Sequence, residues 1–169
     1  MINWNEIIAN LSNGIAITAD KNKWNLSTPG YLEIYKMWEE SKFNMSSIKW
    51  INYYPTTHYP SLIDDQMCEQ LGINKLRSWI SQIDPGYCAP WHWDVDDNES
   101  EYLQLGEIQR YSCFISKPNN GQMFQLGNQY YTSQPQGTIV KWNNYKEWHA
   151  GVNAGITPKY MYHIIGYRN

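Results

Sequence analysis

The segment Pro85-Gly-Tyr-Cys-Ala-Pro-Trp-His-Trp-Asp94 decides how the second half of the chain folds, because it has the pattern of a tight turn that leads into a strand. Pro-Gly is a turn signal, and the aromatic residues that follow favour extended backbone. Side chains two positions apart on a strand point to the same face. His92 and Asp94 are therefore predicted to point inward from this strand, while Trp91 and Trp93 pack on its opposite face.

Turn signals recur at short intervals throughout the chain from Asn74 onward, and no window there keeps a helical period. Eight short strands fit between these turns, and eight is the number that a double-stranded β-helix, a form of jelly roll, requires. We therefore predict a mainly β fold with N-terminal helices. The strands are expected at about 75–83, 91–95, 108–116, 122–126, 129–132, 138–142, 147–152 and 159–167.

The N-terminal part of the chain predicts helices that pack outside this β core. Apolar residues at helical spacing and capping patterns indicate three helices, and a β-branched and aromatic run indicates a strand. We expect one domain over residues 1–169, with a helical support region at 1–73 and the double-stranded β-helix at 74–169. The helices are predicted at about 4–11, from a Thr28 cap through about Lys42, and from Ser61 to Gly72, with the strand at 47–54.

The composition excludes several classes of protein. The chain has 169 residues, of which 42% are hydrophobic and 15% aromatic, so it can bury a core and is not disordered. A net charge of −3 and the lack of a Lys/Arg cluster predict no nucleic-acid binding and no attraction to anionic membranes. No apolar run approaches the roughly 20 residues of a membrane span, and no secretory signal is recognisable. Three cysteines without CxxC spacing predict reduced thiols and a cytoplasmic location.

A second candidate ligand segment, Glu147 to Asn153, follows the predicted strand at 138–142 and contains His149. Two histidines and one carboxylate on neighbouring inner strands would form a facial triad, which suits ferrous ion better than structural zinc with its four closed ligands. His-x-Asp alone is also explained by a strand histidine that bonds a neighbouring acid. Lys159, ten residues beyond His149, begins a strand beside this site, where it either binds an anion or reaches the surface.

His92-x-Asp94, the distal His149 and the basic Lys159 resemble the pattern of the Fe(II)/2-oxoglutarate (2OG)-dependent dioxygenases. The resemblance implies that His92, Asp94 and His149 bind Fe(II), that 2OG takes two open positions and that O2 takes the third. It also implies hydroxylation of an unactivated C–H bond with release of succinate and CO2. In that family the basic residue holds the distal carboxylate of 2OG. Most members use arginine there, whereas collagen-type prolyl 4-hydroxylases use lysine.

The closest local likeness is to the aspartyl/asparaginyl β-hydroxylase branch, and it covers about half the chain, from Arg77 to the C-terminus. In that branch a serine-bearing strand precedes a Pro-Gly turn, and an arginine opens the next long strand. Ser81 and Arg110 stand at those places here. The resemblance implies that Ser81 helps to bind the distal carboxylate of 2OG and that Arg110 faces 2OG or a substrate carboxylate.

Two departures separate the chain from that branch. The branch lacks the acidic metal ligand that Asp94 supplies here, and it has a histidine where this chain has Ser112. At the metal the chain therefore resembles the wider prolyl-hydroxylase-like group. A small-molecule or peptide substrate is expected, with a peptide side chain or an amino acid preferred. Two alternatives stay open, namely a metal-independent jelly-roll module that binds a sugar or peptide, and a cupin metalloenzyme that does not use 2OG.

Other polar residues are interpreted as structural. His58 lies in a polar loop, and His163 lies on the last predicted strand, on the same face as Lys159. The acidic run at 96–101 resembles a calcium loop but lacks the order of ligands and the glycine of an EF-hand, so we interpret it as a solvated loop. The abundant Trp and Tyr residues are expected to pack mostly in the core.

Overall fold

The structure is a computed structural model, and it describes residues 2–11, 15–20, 29–54, 61–94, 99–144 and 146–168. The helices are α1 (Trp4–Ala9), α2 (Pro29–Glu40), α3 (Ser61–Leu71) and α4 (Glu99–Tyr102). The strands are β1 (Ile15–Asp20), β2 (Lys49–Tyr54), β3 (Asn74–Ile83), β4 (Cys88–His92), β5 (Glu107–Phe114), β6 (Gln122–Leu126), β7 (Gln129–Thr132), β8 (Ile139–Lys141), β9 (His149–Asn153) and β10 (Lys159–Arg168).

The strands form two antiparallel sheets, as expected for a jelly roll. The larger sheet has the order β1-β2-β3-β10-β5-β8, and the smaller one has the order β4-β9-β6-β7. Consecutive strands from β4 onward repeatedly change sheets, so most neighbours within each sheet come from distant parts of the chain, while β6 and β7 form a hairpin. The predicted mainly β fold with N-terminal helices is confirmed. No helix in the described residues is both long and apolar enough to cross a membrane.

The predicted strands agree with the observed ones to within a few residues, with two exceptions. β1 was not predicted, and together with β2 it extends the larger sheet from the N-terminal region. The strand expected at 91–95 instead runs from Cys88 to His92, and its pairing with β9 shifts between Ala89 and His92. Asp94 therefore lies just beyond the strand end, whereas it was expected within the strand. The expected Thr28 cap lies outside the described residues.

Apolar side chains pack in three clusters that leave one part of the interior free. Helices α1 and α3 cover the outer face of the larger sheet, where Met67 packs in one cluster with Ile80 and Tyr162. A second cluster joins α2 to β2 through Trp38 and Trp50. A third cluster fills one end of the space between the sheets. The other end of that space is lined by polar side chains as well as apolar ones.

The period of two along each strand determines which side chains reach this inner space. On β3 the residues that line it are Arg77, Trp79, Ser81 and Ile83, and on β10 they are Lys159, Met161 and His163. Antiparallel pairing places His163 between Trp79 of β3 and Ser112 of β5, and it places Met161 beside Ser81. Residues far apart in the sequence therefore become neighbours on one face of the larger sheet.

Candidate functional site

His92, Asp94 and His149 form a compact cluster on the smaller sheet. One potential ligand atom from each residue lies within 4.8 Å of the others. Asp94 Oδ1 is 3.5 Å from His92 Nε2 and 3.9 Å from His149 Nε2. The cluster is local in the fold because β4 and β9 are adjacent and pair His92 directly with His149. We call these three residues the candidate metal centre.

Backbone carbonyls fix the orientation of both imidazole rings. Nδ1 of His92 contacts the Pro90 carbonyl, and Nδ1 of His149 lies 3.1 Å from the Glu147 carbonyl. A neutral imidazole that donates from Nδ1 keeps a lone pair on Nε2, and this is how most metal-binding histidines are held. Burial, together with the neighbouring His92, keeps the pKa of His149 well below its usual value. The ring is therefore neutral and able to bind a metal through Nε2.

The Asp94 carboxylate divides its two oxygens between different partners. Oδ1 faces the histidines, while Oδ2 accepts a hydrogen bond from Arg110 Nη2. Arg110 is 1% exposed, and its guanidinium lies 3.6 Å from the centre of the Trp142 ring. Burial opposes ionisation of Asp94, but Arg110, His149 and His92 together outweigh it and hold the pKa of Asp94 well below its usual value. Arg110 was expected to face 2OG or a substrate carboxylate, and the carboxylate that it contacts is that of Asp94.

A cavity of about 250 Å³ extends from the candidate metal centre between the two sheets. All six residues predicted for the site line it: His92, Asp94, His149, Lys159, Ser81 and Arg110. The remaining lining is largely aromatic and aliphatic, and includes Tyr31, Trp50, Tyr54, Trp79, Ile83 and Phe124. Such a combination of apolar walls with a few convergent polar groups is typical of a small-molecule site.

Lys159 is a buried cation in the wall of this cavity. It is 3% exposed, so it does not reach the surface, and its Nζ donates to the Met123 carbonyl at 2.6 Å. Within the described ranges no carboxylate lies within ion-pair distance of Nζ. Burial lowers the pKa of Lys159 to about 7. An anion in the cavity would supply the charge partner that the described residues do not provide.

Gly151 leaves space beside this ammonium. A Cβ at Gly151 would lie 3.4 Å from Lys159 Nζ and 2.7 Å from Ile83 Cδ1. Gly151 is two residues beyond His149 on β9, so it faces the cavity from the same side as the candidate metal centre. Gly151 and Lys159 both line the cavity, so the cavity extends to the lysine.

Ser81 contacts a buried histidine on the next strand. Ser81 Oγ lies 2.9 Å from His163 Nε2, and Ser112 Oγ lies 2.9 Å from His163 Nδ1. The imidazole stacks on Trp79 with the ring centres 5.0 Å apart. Burial lowers the pKa of His163 to about 3, so the ring is neutral at physiological pH. His163 shares the face of Lys159 as predicted, and it lines the cavity.

Several cavity residues were not found from the sequence. Asn52, Trp79 and Gly151 line the cavity without belonging to any motif, although strand parity alone would have placed Trp79 beside Ser81. The acidic run at 96–101 ends in α4, and residues 95–98 lie outside the described part of the chain. His58 also lies outside it.

The donor set suits a divalent transition metal. Two neutral imidazole nitrogens and one carboxylate oxygen are the ligands of a facial triad, which leaves open positions for small molecules. Each ligand also has its own supporting contact, from a backbone carbonyl or from Arg110. The cavity next to the triad contains a lysine that no described carboxylate neutralises. The residues present therefore fit both a ferrous ion and an anionic ligand beside it.

Comparison with solved structures supports the same class of fold. No family model and no curated protein matches the chain. A prolyl-4-hydroxylase from Pseudomonas putida is similar over 98% of this chain and 99% of its own, with a TM-score of 0.52 and 7% identity. A viral collagen prolyl hydroxylase from Paramecium bursaria Chlorella virus-1, solved as a 2OG complex, is similar over 94% and 99%, with a TM-score of 0.50 and 11% identity. The chain therefore shares the jelly-roll fold of these two proteins.

Proposed function

We propose that the protein is an Fe(II)- and 2OG-dependent dioxygenase that hydroxylates an unactivated C–H bond of a small-molecule or peptide substrate. A peptide side chain or an amino acid is the preferred substrate class. One observation carries the proposal: the candidate metal centre and the buried Lys159 line the same cavity. A metal alone would explain the first feature, and an anion alone would explain the second. A metal-chelating dicarboxylate explains both.

Each residue of the cavity wall has a distinct role in this proposal. His92, Asp94 and His149 would hold the ferrous ion, and Arg110 would keep one oxygen of Asp94 directed at it. When bound, Fe(II) would activate O2 with 2OG as the two-electron reductant, so that 2OG, O2 and R–H are converted to succinate, CO2 and R–OH. The buried aromatic lining would exclude water from the reacting groups.

Lys159 and Ser81 would bind the distal carboxylate of 2OG. A charge-assisted hydrogen bond from a buried ammonium is stronger than a neutral one, and the bound anion would also restore the pKa of Lys159 toward its usual value. Ser81 lies diagonally across the sheet from Lys159, because Met161 pairs with Ser81 and Lys159 pairs with Ile83. Both side chains can therefore reach one carboxylate.

The test is anaerobic addition of ferrous ion and 2OG, which should produce the weak visible charge-transfer band of the iron chelate. The folded Asp94→Ala variant is the matched control and should give no band. Ferrous binding without the band, at 2OG concentrations that saturate known enzymes of this class, would favour a cupin metalloenzyme that does not use 2OG. If neither ferrous ion nor 2OG binds, the metal-independent binding module replaces the proposal.

The substrate class can be tested separately. Candidate amino acids and peptides should be screened for succinate formation above the rate seen without substrate. A true substrate raises this rate and gains one oxygen atom, detectable as a mass increase. An increase with sugars alone would contradict the preference for peptides and amino acids.

A further inference from the structure

Four side chains form a continuous hydrogen-bonded chain beneath the cavity wall. Trp142 Nε1 lies 2.9 Å from Ser112 Oγ, which lies 2.9 Å from His163 Nδ1. His163 Nε2 in turn lies 2.9 Å from Ser81 Oγ. Ser112 is 0% exposed, so its hydroxyl cannot bond bulk water. Of the four residues, only Ser81 and His163 line the cavity.

The direction of each bond follows from the donors and acceptors available. Indole Nε1 can only donate, so Ser112 Oγ accepts from Trp142. The hydroxyl hydrogen of Ser112 then needs an acceptor, and within the described part of the chain His163 Nδ1 is the one in reach. If Nδ1 carried a hydrogen instead, the buried Ser112 hydrogen would have no partner, which is unfavourable.

The direction of the Ser112–His163 hydrogen bond determines the direction of the next bond, between His163 and Ser81. Because His163 is neutral and accepts at Nδ1, its hydrogen must be on Nε2, and Nε2 donates to Ser81 Oγ. One of the two lone pairs of Ser81 Oγ is therefore engaged by the histidine, and the hydroxyl hydrogen of Ser81 is directed away from His163. That hydrogen has no acceptor among the described residues, and Ser81 lines the cavity.

We infer that Trp142, Ser112 and His163 are positioning residues that hold the Ser81 hydroxyl as a hydrogen-bond donor toward the cavity, so that this wall selects a ligand with an acceptor there. The ligand chemistry is a carboxylate, since Lys159, the diagonal neighbour of Ser81, also only donates. The identification of that carboxylate as 2OG rests on the proposed function.

The hydrogen-bonded chain of side chains also accounts for one difference from the β-hydroxylase branch. Where the β-hydroxylase branch has a histidine two residues after its arginine, this protein has Ser112. His163 pairs directly with Ser112 on the adjacent strand. The imidazole is therefore supplied by β10 to the same inner face of the sheet.

The direct test is the tautomer of His163, read from the ¹⁵N shifts of histidine-labelled, metal-free protein at neutral pH. The inference requires hydrogen on Nε2 and none on Nδ1, with the signal assigned by its loss in His163→Gln. A His163 resonance with hydrogen on Nδ1 would overturn the inference, whether or not 2OG binds. The tautomer itself is read from the wild-type protein, and the folded His163→Gln variant serves only to assign the signal.

The second test asks whether the hydrogen-bonded residues affect the binding of a ligand that Trp142 and Ser112 do not contact. Ser112→Ala should raise the apparent Kd for 2OG in the anaerobic ferrous protein by about threefold to tenfold, the effect of one neutral hydrogen bond. It should also mix the tautomers of His163. Ser78→Ala is the matched control, since Ser78 is a buried serine on β3 that faces away from the cavity.

The two tests separate failure of the inference from failure of the proposed function. If His163 has the expected tautomer but 2OG does not bind the wild-type protein, the proposed function fails and the hydrogen-bonded chain stands. If 2OG binds and Ser112→Ala changes its Kd no more than Ser78→Ala does, the serine is merely structural and the positioning role is refuted.

Discussion

At the scale of single residues, Asp94 connects the candidate metal centre to the interior of the larger sheet. One of its oxygens faces two imidazoles and the other accepts from Arg110. Breaking a buried ion pair by removing one partner is costly because the other charge is then unpaired. This arrangement keeps the carboxylate ionised and correctly directed before any metal arrives, so the centre is preorganised.

Replacement of a single ligand should abolish metal binding without unfolding the protein. His92→Ala, Asp94→Ala and His149→Ala each remove one donor of three, while the three apolar clusters remain intact. Asp94→Ala also leaves the buried Arg110 charge unpaired, so it should be the least stable of the three variants. Calorimetry with ferrous ion under anaerobic conditions should detect no tight binding, and circular dichroism should retain the wild-type signature. Ser78→Ala is the control. Wild-type affinity in any two of the ligand variants would refute the triad.

Lys159→Ala should weaken 2OG binding far more than iron binding. The variant leaves a ligand carboxylate buried without its partner, so we expect a rise in the Kd for 2OG of one to several orders of magnitude, from roughly 2–5 kcal/mol for a broken buried pair. Lys159→Arg should retain partial affinity, because it keeps the charge but not the shape. Calorimetry with iron present measures both. An unchanged Kd for 2OG in Lys159→Ala would contradict the assigned role.

At the scale of elements, β9 determines both the metal centre and the room beside it. Alternation along this strand presents His149 and then Gly151 to the cavity. β9 also lies between β4 and β6, so it joins His92 on one side to Phe124 on the other. Substitutions of His149 or Gly151 should therefore change the cavity.

Gly151→Ala should reduce the space for a ligand carboxylate at Lys159. The added Cβ would lie 3.4 Å from Nζ and would force the end of the Ile83 side chain to move. We expect a folded protein with a Kd for 2OG raised about tenfold, an effect of the size of overpacking by one methyl group. Val152→Ala changes the same strand at a position of opposite parity. The Kd for 2OG of this variant should stay near the wild-type value. Equal affinities in both variants would exclude Gly151 as part of the site.

Most strands could be predicted from the sequence because turn residues delimit them and apolar residues alternate within them. The pairing of those strands could not, since it depends on contacts between distant segments. The Ser81–His163 contact shows this limit, because the two residues are far apart in the sequence. Asp94 was expected on a strand, but β4 ends at His92, after a register shift between Ala89 and His92 that the sequence does not reveal. β1 was missed because its Ile17 is half exposed at a sheet edge, so its alternation carries little signal.

At the scale of the whole molecule, the space between the sheets is apolar at one end and polar at the other. Phe114, Phe124 and Trp142 pack at the apolar end, and ionisable groups line the polar end. Burying those groups costs stability, which the apolar clusters on both sides of the larger sheet must offset. The apolar clusters therefore supply the stability of the fold, and the ionisable groups that line the cavity do not.

The stability of the metal-free protein should fall as the pH falls from about 6.5 toward 3. Burial lowers the pKa of His163 to about 3 and also lowers that of His149, so in this range the unfolded state binds more protons than the folded state. The free energy of unfolding therefore rises with pH across the window. Urea denaturation at pH 4.5 and 6.5 measures the free energy of unfolding at each pH. The difference between the two values should be smaller for His163→Gln than for the wild-type protein. An equal or larger difference in His163→Gln would contradict burial of a neutral histidine.

The central claim is that the metal centre and the lysine act together on 2OG, and succinate formation tests it most directly. Wild-type protein loaded with ferrous ion should convert 2OG to succinate and CO2 in equal amounts, and only when O2 is present. When no substrate is added, ascorbate supplies the two electrons that reduce the remaining oxygen atom to water. Lys159→Ala should do so only at much higher 2OG concentrations, and Asp94→Ala should not do so at all. Folded, ferrous-loaded wild-type protein that forms no succinate under these conditions would contradict the account.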